Sequence, residues 1–237
     1  MPGKTYLITG ANRGLGLEFV RQITSASDKN TVIAGVRSLR GELDELKTLA
    51  SSTSGRVHVV ECDTASVSSI KRAGEEISRL LAGGQLHYLL NNAGINAVSS
   101  QTALTMDPDD LRTHIDINVI GPSELFKALE KSLRQGSVVL NMSSGLGSCG
   151  KGIIKCATYA VSKAALNMLT VHQAEALKEK GAIAIVMDPG WVKTRMGGAG
   201  AVLTPEESIR GMLRTLHGVT VEQSGRFYQW DGETVLW

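Results

Sequence analysis

A tyrosine and a lysine stand four residues apart in the segment 159–163 (YAVSK). Residues at this spacing share one face of a helix, so the phenol of Tyr159 and the ammonium of Lys163 would lie side by side. A phenol has a pKa near 10, and a neighbouring ammonium lowers that pKa because it favours the phenolate. The pair could therefore transfer a proton near neutral pH. The same spacing also occurs where the tyrosine is a core residue and the lysine is a solvated charge.

Hydroxyl and amide side chains that could assist such a transfer lie upstream. Ser143 and Ser144 come directly after the apolar run 137–142 (SVVLNM), and spacing alone does not choose between them. The carboxyl ends of strands are where open α/β sheets bind ligands, so both serines are candidates for a substrate contact. Asn118 lies in a helical segment, where a satisfied polar residue of the helix is the alternative interpretation.

The segment 9–16 (TGANRGLG) carries Gly10, Gly14 and Gly16 between a short apolar run and an amphipathic pattern. Glycines in such a turn let backbone N–H groups at a helix N-terminus approach a pyrophosphate. The alternative is a glycine-rich turn without a ligand, which the position between strand and helix disfavours. The turn is not followed by G-K-[ST], which disfavours a P-loop nucleotide hydrolase.

Two arginines indicate which dinucleotide the turn would hold. A site for NAD usually has an acid at the end of the second strand, to bind the ribose 2′-hydroxyl. The second apolar run ends instead in Arg37, and Arg13 lies inside the glycine turn. Two guanidiniums suit a 2′-phosphate through charge-assisted hydrogen bonds, so we expect a preference for NADPH. The alternative is that both are solvated surface charges.

The elements that would position these residues alternate along the chain. Strands are predicted over residues 6–8, 31–36, 57–61, 86–90, 137–142 and 182–187, with 225–230 as a candidate seventh strand. Alternation with helical segments predicts βαβ units and a parallel sheet, and continuous apolarity suits strands covered on both faces. We expect an α/β fold: one Rossmann-type, doubly wound parallel sheet of about seven strands with helices on both faces. A single domain would span residues 1–237.

The segment after the sixth strand is expected to cover the substrate. It runs from Trp191 to about Leu203, and residues 204–207 (TPEE) then predict a helix with a threonine N-cap and a proline at its first position. Its glycines, at 197, 198 and 200, are too small and flexible to build a deep wall over the substrate. The alternative is that they serve only a tight turn. The expected pocket is therefore broad and apolar, and its lining residues are Leu146, Ile153, Ile154, Trp191 and Met196.

Composition excludes several classes of protein. A net charge of +2 and an aromatic content of 4% give no footprint for nucleic acid. No apolar run is long enough for a membrane span, and the N-terminus runs into a strand without a leader-like apolar region. Three cysteines without zinc-like spacing indicate no metal site and a reducing compartment, so a cytoplasmic location is the default expectation.

Five motifs stand in one order along the chain: residues 9–16, 91–94 (NNAG), Ser144, the pair Tyr159 and Lys163, and 189–190 (PG). In this order and approximate spacing they resemble the short-chain dehydrogenase/reductase family over nearly the whole chain. The finer resemblance is to the sniffer-like and C-factor-like carbonyl reductases. Three segments carry it: 196–198 (MGG), 203–208 (LTPEES) and 227–237 (FYQWDGETVLW).

The resemblance implies an NADPH-dependent oxidoreductase that reduces a ketone, aldehyde or quinone carbonyl to the alcohol. Tyr159 would donate the proton to the carbonyl oxygen, and Ser144 would hydrogen-bond that oxygen. Lys163 would lower the tyrosine pKa and hold the nicotinamide ribose. Asn118 would position a water that completes the proton relay.

The same resemblance, with the residue patterns above, gives the expected NADP(H)-binding surface. Its residues are Gly10, Asn12, Arg13, Gly14, Leu15, Gly16, Arg37, Asp63, Thr64, Asn91, Ala93, Gly94, Tyr159, Lys163, Pro189, Gly190, Val192 and Thr194. Asp63 and Thr64 have a second interpretation as the N-cap region of a helix before Ser66, and Val192 and Thr194 as an ordinary loop.

Two other functions stay open, because a fold does not fix a function. One is a family member diverted to non-redox chemistry, and the other is a cofactor-binding regulator. The expected partner is a small carbonyl compound, apolar or aromatic, with no nucleic acid and no membrane. Relatives form dimers and tetramers through the helices that hold Asn118 and Tyr159, and others are monomers, so a homodimer or homotetramer is open.

Overall fold

A computed structural model describes residues 3–237. Seven strands form one sheet in the order β3-β2-β1-β4-β5-β6-β7, and every neighbouring pair is parallel. The strands are β1 (Thr5–Thr9), β2 (Thr31–Val36), β3 (Val57–Glu61), β4 (Tyr88–Asn91), β5 (Val138–Met142), β6 (Ile183–Asp188) and β7 (Phe227–Gln229). This sheet confirms the predicted α/β class and its doubly wound order.

Helices cover both faces of the sheet. They are α1 (Gly14–Ala26), α2 (Asp44–Ser51), α3 (Val67–Leu81), α4 (Pro108–Ile115), α5 (Gly121–Leu129), α6 (Ala157–Leu177) and α7 (Pro205–Gly218). On one face, Phe19 of α1 and Ile209 of α7 share an apolar cluster with alternate strand residues. On the other face, Ile70 of α3 and Leu125 of α5 do the same. The inner strands are therefore buried on both sides, which explains their continuous apolar sequence, whereas the edge strand β3 is only partly covered.

Most predicted elements are found close to their predicted bounds. The start of α7 is confirmed: Thr204 and Glu207 form a reciprocal capping box, with proline at the first position. Two strands differ. β4 begins two residues later than predicted, because the Leu86 amide donates to Ser132 outside the sheet. β7 is only three residues long, so the run 225–230 contributes just its centre.

The long helix that was predicted around Asn118 is interrupted. Between α4 and α5 lies a π-helical turn, Asp116–Ile120, and the Gly121 amide donates back to Asp116. Pro122 follows directly and has no N–H, so a regular α-helix would lose a hydrogen bond here. Such turns occur often at functional sites, because they re-aim one side chain inside a helix.

Helix α6 is held on β5 by buried hydrogen bonds. Asn141 of β5 donates to Thr170 Oγ1 over 2.8 Å and to Gln173 Oε1 over 2.7 Å. It also accepts from Asn91 Nδ2 of β4 over 2.8 Å. All four side chains are buried. Because hydrogen bonds are directional, this network fixes how the helix lies along the strands.

We predict that Asn141→Leu lowers the free energy of unfolding by about 3 kcal/mol, since it leaves several buried polar groups without a partner. Denaturant unfolding monitored by circular dichroism measures the change. Thr113→Val is the matched control, because it removes one hydrogen bond on an exposed helix surface and should cost less than about 0.5 kcal/mol. Equal costs for the two variants would contradict a structural role for the buried network.

Candidate active site

The expected site residues meet at the carboxyl ends of the central strands. The glycine turn follows β1, the segment 91–94 ends β4, Ser144 follows β5, and the Pro189–Gly190 pair follows β6. Tyr159 and Lys163 lie in the first two turns of α6, which begins beside Ser144. The structure thus brings the predicted residues together at one edge of the sheet, where such sheets bind ligands.

The tyrosine and lysine of α6 are both buried. The Lys163 ammonium donates to the Met142 carbonyl over 2.8 Å and lies 5.5 Å from the centre of the Tyr159 ring. A Cβ atom on Gly94 would come within 3.3 Å of that ammonium and 3.0 Å of Asn118 Oδ1, so a side chain there would crowd both groups. The pair is therefore held in a fixed arrangement rather than displayed on the surface.

Of the two serines, the structure leaves Ser144 open to the site. Ser143 is 1% exposed, and its hydroxyl donates to Asn167 Oδ1 over 2.6 Å. The Ser144 hydroxyl is partly exposed and accepts only the Leu146 amide, over 3.2 Å. Ser143 is thus occupied by a contact to α6, whereas the Ser144 hydroxyl is partly exposed and lies within hydrogen-bonding reach of Tyr159.

Burial dominates the proton affinities of the pair. Burial raises the pKa of Tyr159 above its usual value, and the Asp188 carboxylate raises it further, while the nearby Ser144 hydroxyl lowers it. Burial also lowers the pKa of Lys163 to about 7. In the cofactor-free protein, burial and the Asp188 charge therefore outweigh any lowering by the lysine. Desolvation disfavours the charged form of both groups.

Asn118 occupies the π-helical turn and is fully buried. Its side chain accepts from the Ile95 amide over 2.9 Å, donates to the Ile95 carbonyl over 3.0 Å and donates to Ser162 over 2.9 Å. These bonds tie the helix to the segment after β4 and to α6. The side chain is thus satisfied by the protein itself.

The glycine turn forms a cradle that fits a dinucleotide phosphate. A Cβ on Gly16 would lie 2.1 Å from the Gly10 carbonyl, and Gly14 has a φ of +53°, a conformation that favours glycine. The N-cap residue of α1, Arg13, makes no side-chain capping hydrogen bond, and the first turn holds no acid. The N–H groups of that turn are therefore left for a phosphate.

The two arginines stand beside this cradle. Arg13 and Arg37 are exposed, and within the described residues neither side chain makes a hydrogen bond or an ion pair. No acid ends β2; Glu61, from the end of β3, accepts the Leu39 amide over 3.1 Å. Both guanidiniums are therefore exposed to solvent, and no carboxylate ends β2.

The remaining expected cofactor residues shape this edge. Thr9 receives two amides of the segment after β4, including that of Ala93 over 2.9 Å. Asp63 caps its own turn by accepting the Ala65 amide over 3.0 Å, and the N-cap of α3 is Ser66. Thr64 packs against the position of Gly121, at the start of α5.

The loop after β6 closes against the glycine turn. Thr194 lies 3.7 Å from where a Cβ of Gly14 would be, and Val192 is buried and bridged to Leu203. Two of the loop glycines are required by packing: a Cβ on Gly197 would meet the Val192 carbonyl, and one on Gly200 would meet the ring of Trp191. These glycines serve close contacts inside the loop rather than making it flexible.

The expected apolar lining is only partly assembled. Ile154 is 93% exposed and points to solvent, so it lines no pocket. Ile153, Trp191 and Met196 are half exposed, and the Trp191 indole donates to the Gly197 carbonyl over 2.7 Å. The site is therefore open on this side.

Sequence reasoning missed two charged residues of the site. Asp188, the last residue of β6, carries a carboxylate close enough to Tyr159 to raise its pKa. Arg195, in the loop after β6, forms an ion pair over 3.1 Å with Glu42, in the loop after β2. The Asn12 side chain donates to the Glu42 carbonyl, so this ion pair lies beside the glycine turn. An aspartate directly before Pro189 was the signal for the first; nothing local to the sequence marked the second.

Fold and site together define a nucleotide-dependent oxidoreductase of the Rossmann type. The short chain dehydrogenase family model matches residues 4–201, and the chain belongs to this family. The carbonyl reductase from chicken fatty liver, whose structure has NADPH bound, superposes with a TM-score of 0.92 at 33% identity over 100% of both chains. Carbonyl reductase Sniffer of D. melanogaster superposes with a TM-score of 0.90 at 29% identity, again over 100% of both chains. The C-signal protein of Myxococcus xanthus is 36% identical over 157 residues, which are 65% of this chain and 94% of that protein.

Within residues 3–237, no group of three or more His, Cys, Asp or Glu side chains could hold a metal ion. Over the same residues, no helix is both long and apolar enough to cross a membrane.

We predict that Lys163 raises the free energy of unfolding of the cofactor-free protein by about 2 kcal/mol between pH 7 and pH 9. The folded-state pKa of Lys163 is about 7, below the unfolded value near 10.4. For this residue the unfolded chain binds more protons in that interval, so raising the pH favours the folded state. Burial raises the pKa of Cys62 to about 12, so this thiol opposes the rise by up to about 1 kcal/mol near pH 9, where the unfolded thiol ionises.

Urea unfolding at the two pH values measures this slope. Lys163→Met keeps the apolar stem and removes the titrating group, so its free energy of unfolding should not rise over this interval and should fall slightly near pH 9 because of Cys62. The prediction fails if Lys163→Met and the unchanged protein show the same slope.

Proposed function

We propose that this protein is an NADPH-dependent reductase of ketones, aldehydes or quinones, which works as one domain over residues 1–237. The observation that carries the proposal is the buried pair Tyr159 and Lys163 next to the open hydroxyl of Ser144. The structural likeness to carbonyl reductases supports the substrate class, and the NADPH-bound relative supports the cofactor.

In the proposed reaction Tyr159 supplies the proton. The phenol is protonated at neutral pH, so it holds a proton for a carbonyl oxygen on which negative charge develops. Its raised pKa makes it a weak acid in the cofactor-free protein, so donation depends on a positive charge that stabilises the phenolate. Ser144 orients that oxygen through its free hydroxyl. The nicotinamide, when bound, supplies the hydride to the carbonyl carbon. Balance requires one hydride and one proton for each carbonyl reduced to an alcohol.

Lys163 is suited to return the proton to Tyr159. A pKa of about 7 lets the side chain take up and release a proton without a large free-energy change. Its ammonium lies near the Gly94 backbone, and Asn118 Oδ1 lies 3.0 Å from the position that a Gly94 Cβ would take. Asn118 thus marks the direction in which a water-borne relay would leave the site. Positive charge on Lys163 would also stabilise the phenolate formed after transfer.

The residues that would bind NADPH divide by location. The α1 N-terminus and Thr194 would hold the pyrophosphate, and Arg13 with Arg37 would hold the 2′-phosphate. Asp63 and Thr64 would contact the adenine, and the turn 91–94 with Lys163 would contact the ribose. Pro189, Gly190 and Val192 would border the nicotinamide.

The open side of the site favours bulky apolar carbonyl compounds over small polar ones, because exposed Ile153, Trp191 and Met196 offer apolar surface to cover. Turnover of NADPH with a panel of ketones, aldehydes and quinones tests the function. No turnover with tight cofactor binding would instead indicate a diverted family member or a cofactor-binding regulator. Size-exclusion chromatography with light scattering would show whether a homodimer or homotetramer forms.

We predict that Tyr159→Phe lowers kcat by about a thousandfold, because the ring stays and only the proton donor is lost. NADPH affinity, measured by fluorescence titration, should stay within about twofold, as the phosphate contacts lie elsewhere. Tyr228→Phe is the matched control, since its buried hydroxyl has no hydrogen-bond partner in the structure. Full activity of Tyr159→Phe would rule out the proposed role.

We predict that Arg37→Asp weakens NADPH binding by about 100-fold and leaves NADH binding within a few-fold of the original. The change removes a charge-assisted contact and adds a repulsion with the 2′-phosphate, which NADH lacks. Arg72→Asp, an exposed arginine on α3, makes the same change of charge away from the site. Equal affinity of the unchanged protein for NADPH and NADH would refute the preference.

A further inference from the structure

The carboxylate of Asp188 lies inside the proposed site, and the catalytic roles above do not use it. Its Oδ1 accepts the Gly190 amide over 3.0 Å. Its Oδ2 lies over Gly145, where a Cβ atom would be only 2.9 Å away. Within the described residues, no side chain donates a hydrogen bond to this carboxylate or forms an ion pair with it.

The position of Asp188 links it to both groups that would hold the substrate oxygen. Gly145 directly follows Ser144, so Oδ2 lies one residue beyond the hydroxyl that would bind the carbonyl. The negative charge of Asp188 also acts on Tyr159, from the other side of the site. A substituent next to the carbonyl would therefore lie within reach of this carboxylate.

Gly145 and Lys151 border the space next to the Asp188 carboxylate. Any side chain at position 145 would collide with Asp188, so glycine leaves the carboxylate accessible. The Lys151 ammonium is 3.4 Å from that same Cβ position and its charge acts on Asp188, but it donates its hydrogen bond to Gln229. The hydrogen bonds to the partly buried carboxylate come from the Gly190 and Gly145 amides, so it keeps lone pairs for a ligand that brings its own donor.

We propose that Asp188 is a specificity-determining residue that selects carbonyl substrates with a hydrogen-bond donor, a hydroxyl or an ammonium, on the carbon next to the carbonyl. This inference rests on the proposed function. The apolar remainder of the substrate would lie toward Trp191 and the open side. A site built to pair with a donor discriminates strongly against an analogue that lacks it, because the site's own group is then left unpaired.

Three matched ketones test the proposal: propiophenone, 2-hydroxyacetophenone and 2-aminoacetophenone. In each compound the carbonyl joins a phenyl ring to a CH2 group. The three differ only in what that CH2 group carries: a methyl group, a hydroxyl or an ammonium. The unchanged protein should show kcat/KM values about 10 to 100 times higher for the hydroxy and amino ketones than for propiophenone. In Asp188→Asn the preference for the amino ketone should disappear, while part of the preference for the hydroxy ketone remains, because the amide still accepts.

The matched control is Asp231→Asn. This substitution removes the same charge at a nearby, exposed position. The Asp231 carboxylate already accepts hydrogen bonds from the Gln229 side chain and the Glu233 amide. Its variant should keep the full preference. Melting temperature and NADPH affinity of Asp188→Asn, both close to the original, exclude a folding defect. An unchanged substrate ratio in Asp188→Asn, or a preference of the unchanged protein for propiophenone, would overturn the proposal.

Equilibrium binding separates this inference from the function it rests on. The three ketones are titrated calorimetrically into the protein saturated with NADP+, with and without Asp188→Asn. Turnover of propiophenone without any preference in rate or binding overturns the role of Asp188 alone. Binding preference that depends on Asp188, without turnover, supports the recognition site and overturns the reductase. Absence of both turnover and binding preference overturns both proposals.

Discussion

The site depends on how helix α6 is held against strand β5. In a sheet of this kind helices usually pack through apolar side chains, yet the face of α6 that meets β5 carries a buried polar row: Lys163, Asn167, Thr170 and Gln173. Each of them is hydrogen-bonded to β5 or to the segment after it. Apolar contacts tolerate sliding, whereas directional bonds in a low-dielectric interior do not. Since Tyr159 precedes this row on the same helix, the polar row also fixes the depth of the phenol.

Two opposite charges then act on that phenol. Lys163 and Asp188 approach Tyr159 from different elements, one from α6 and one from the end of β6. Burial favours the neutral form of every group in this set, so the cofactor-free site holds a protonated phenol. The phenol therefore holds its proton tightly and releases it only when the resulting phenolate is stabilised. The ammonium matters after the transfer, when a phenolate has to be stabilised.

The strand pattern and the motif order were enough to predict the sheet, its helices and the residues that gather at its edge. Continuous apolar runs identify doubly covered strands because both faces need apolar side chains. Spacing did not separate Ser143 from Ser144, since the difference arises from Asn167, a contact that no local pattern shows. The π turn at Asn118 was missed as well, although Pro122 was a usable signal. The tyrosine pKa was mispredicted because burial depends on the whole fold, not on the i, i+4 neighbour.

Burial also divides the site into two parts with different physics. Arg13 and Arg37 are exposed, so salt screens any attraction between them and a phosphate. Each arginine would then contribute to that attraction nearly independently of the other. Tyr159 and Lys163 are buried, so desolvation dominates the proton affinity of each, and the Asp188 charge acts on Tyr159 in addition. A single surface substitution can therefore change the attraction for a phosphate without disturbing the fold. The proton donor has less freedom, because its proton affinity depends on burial and on a neighbouring charge at the same time.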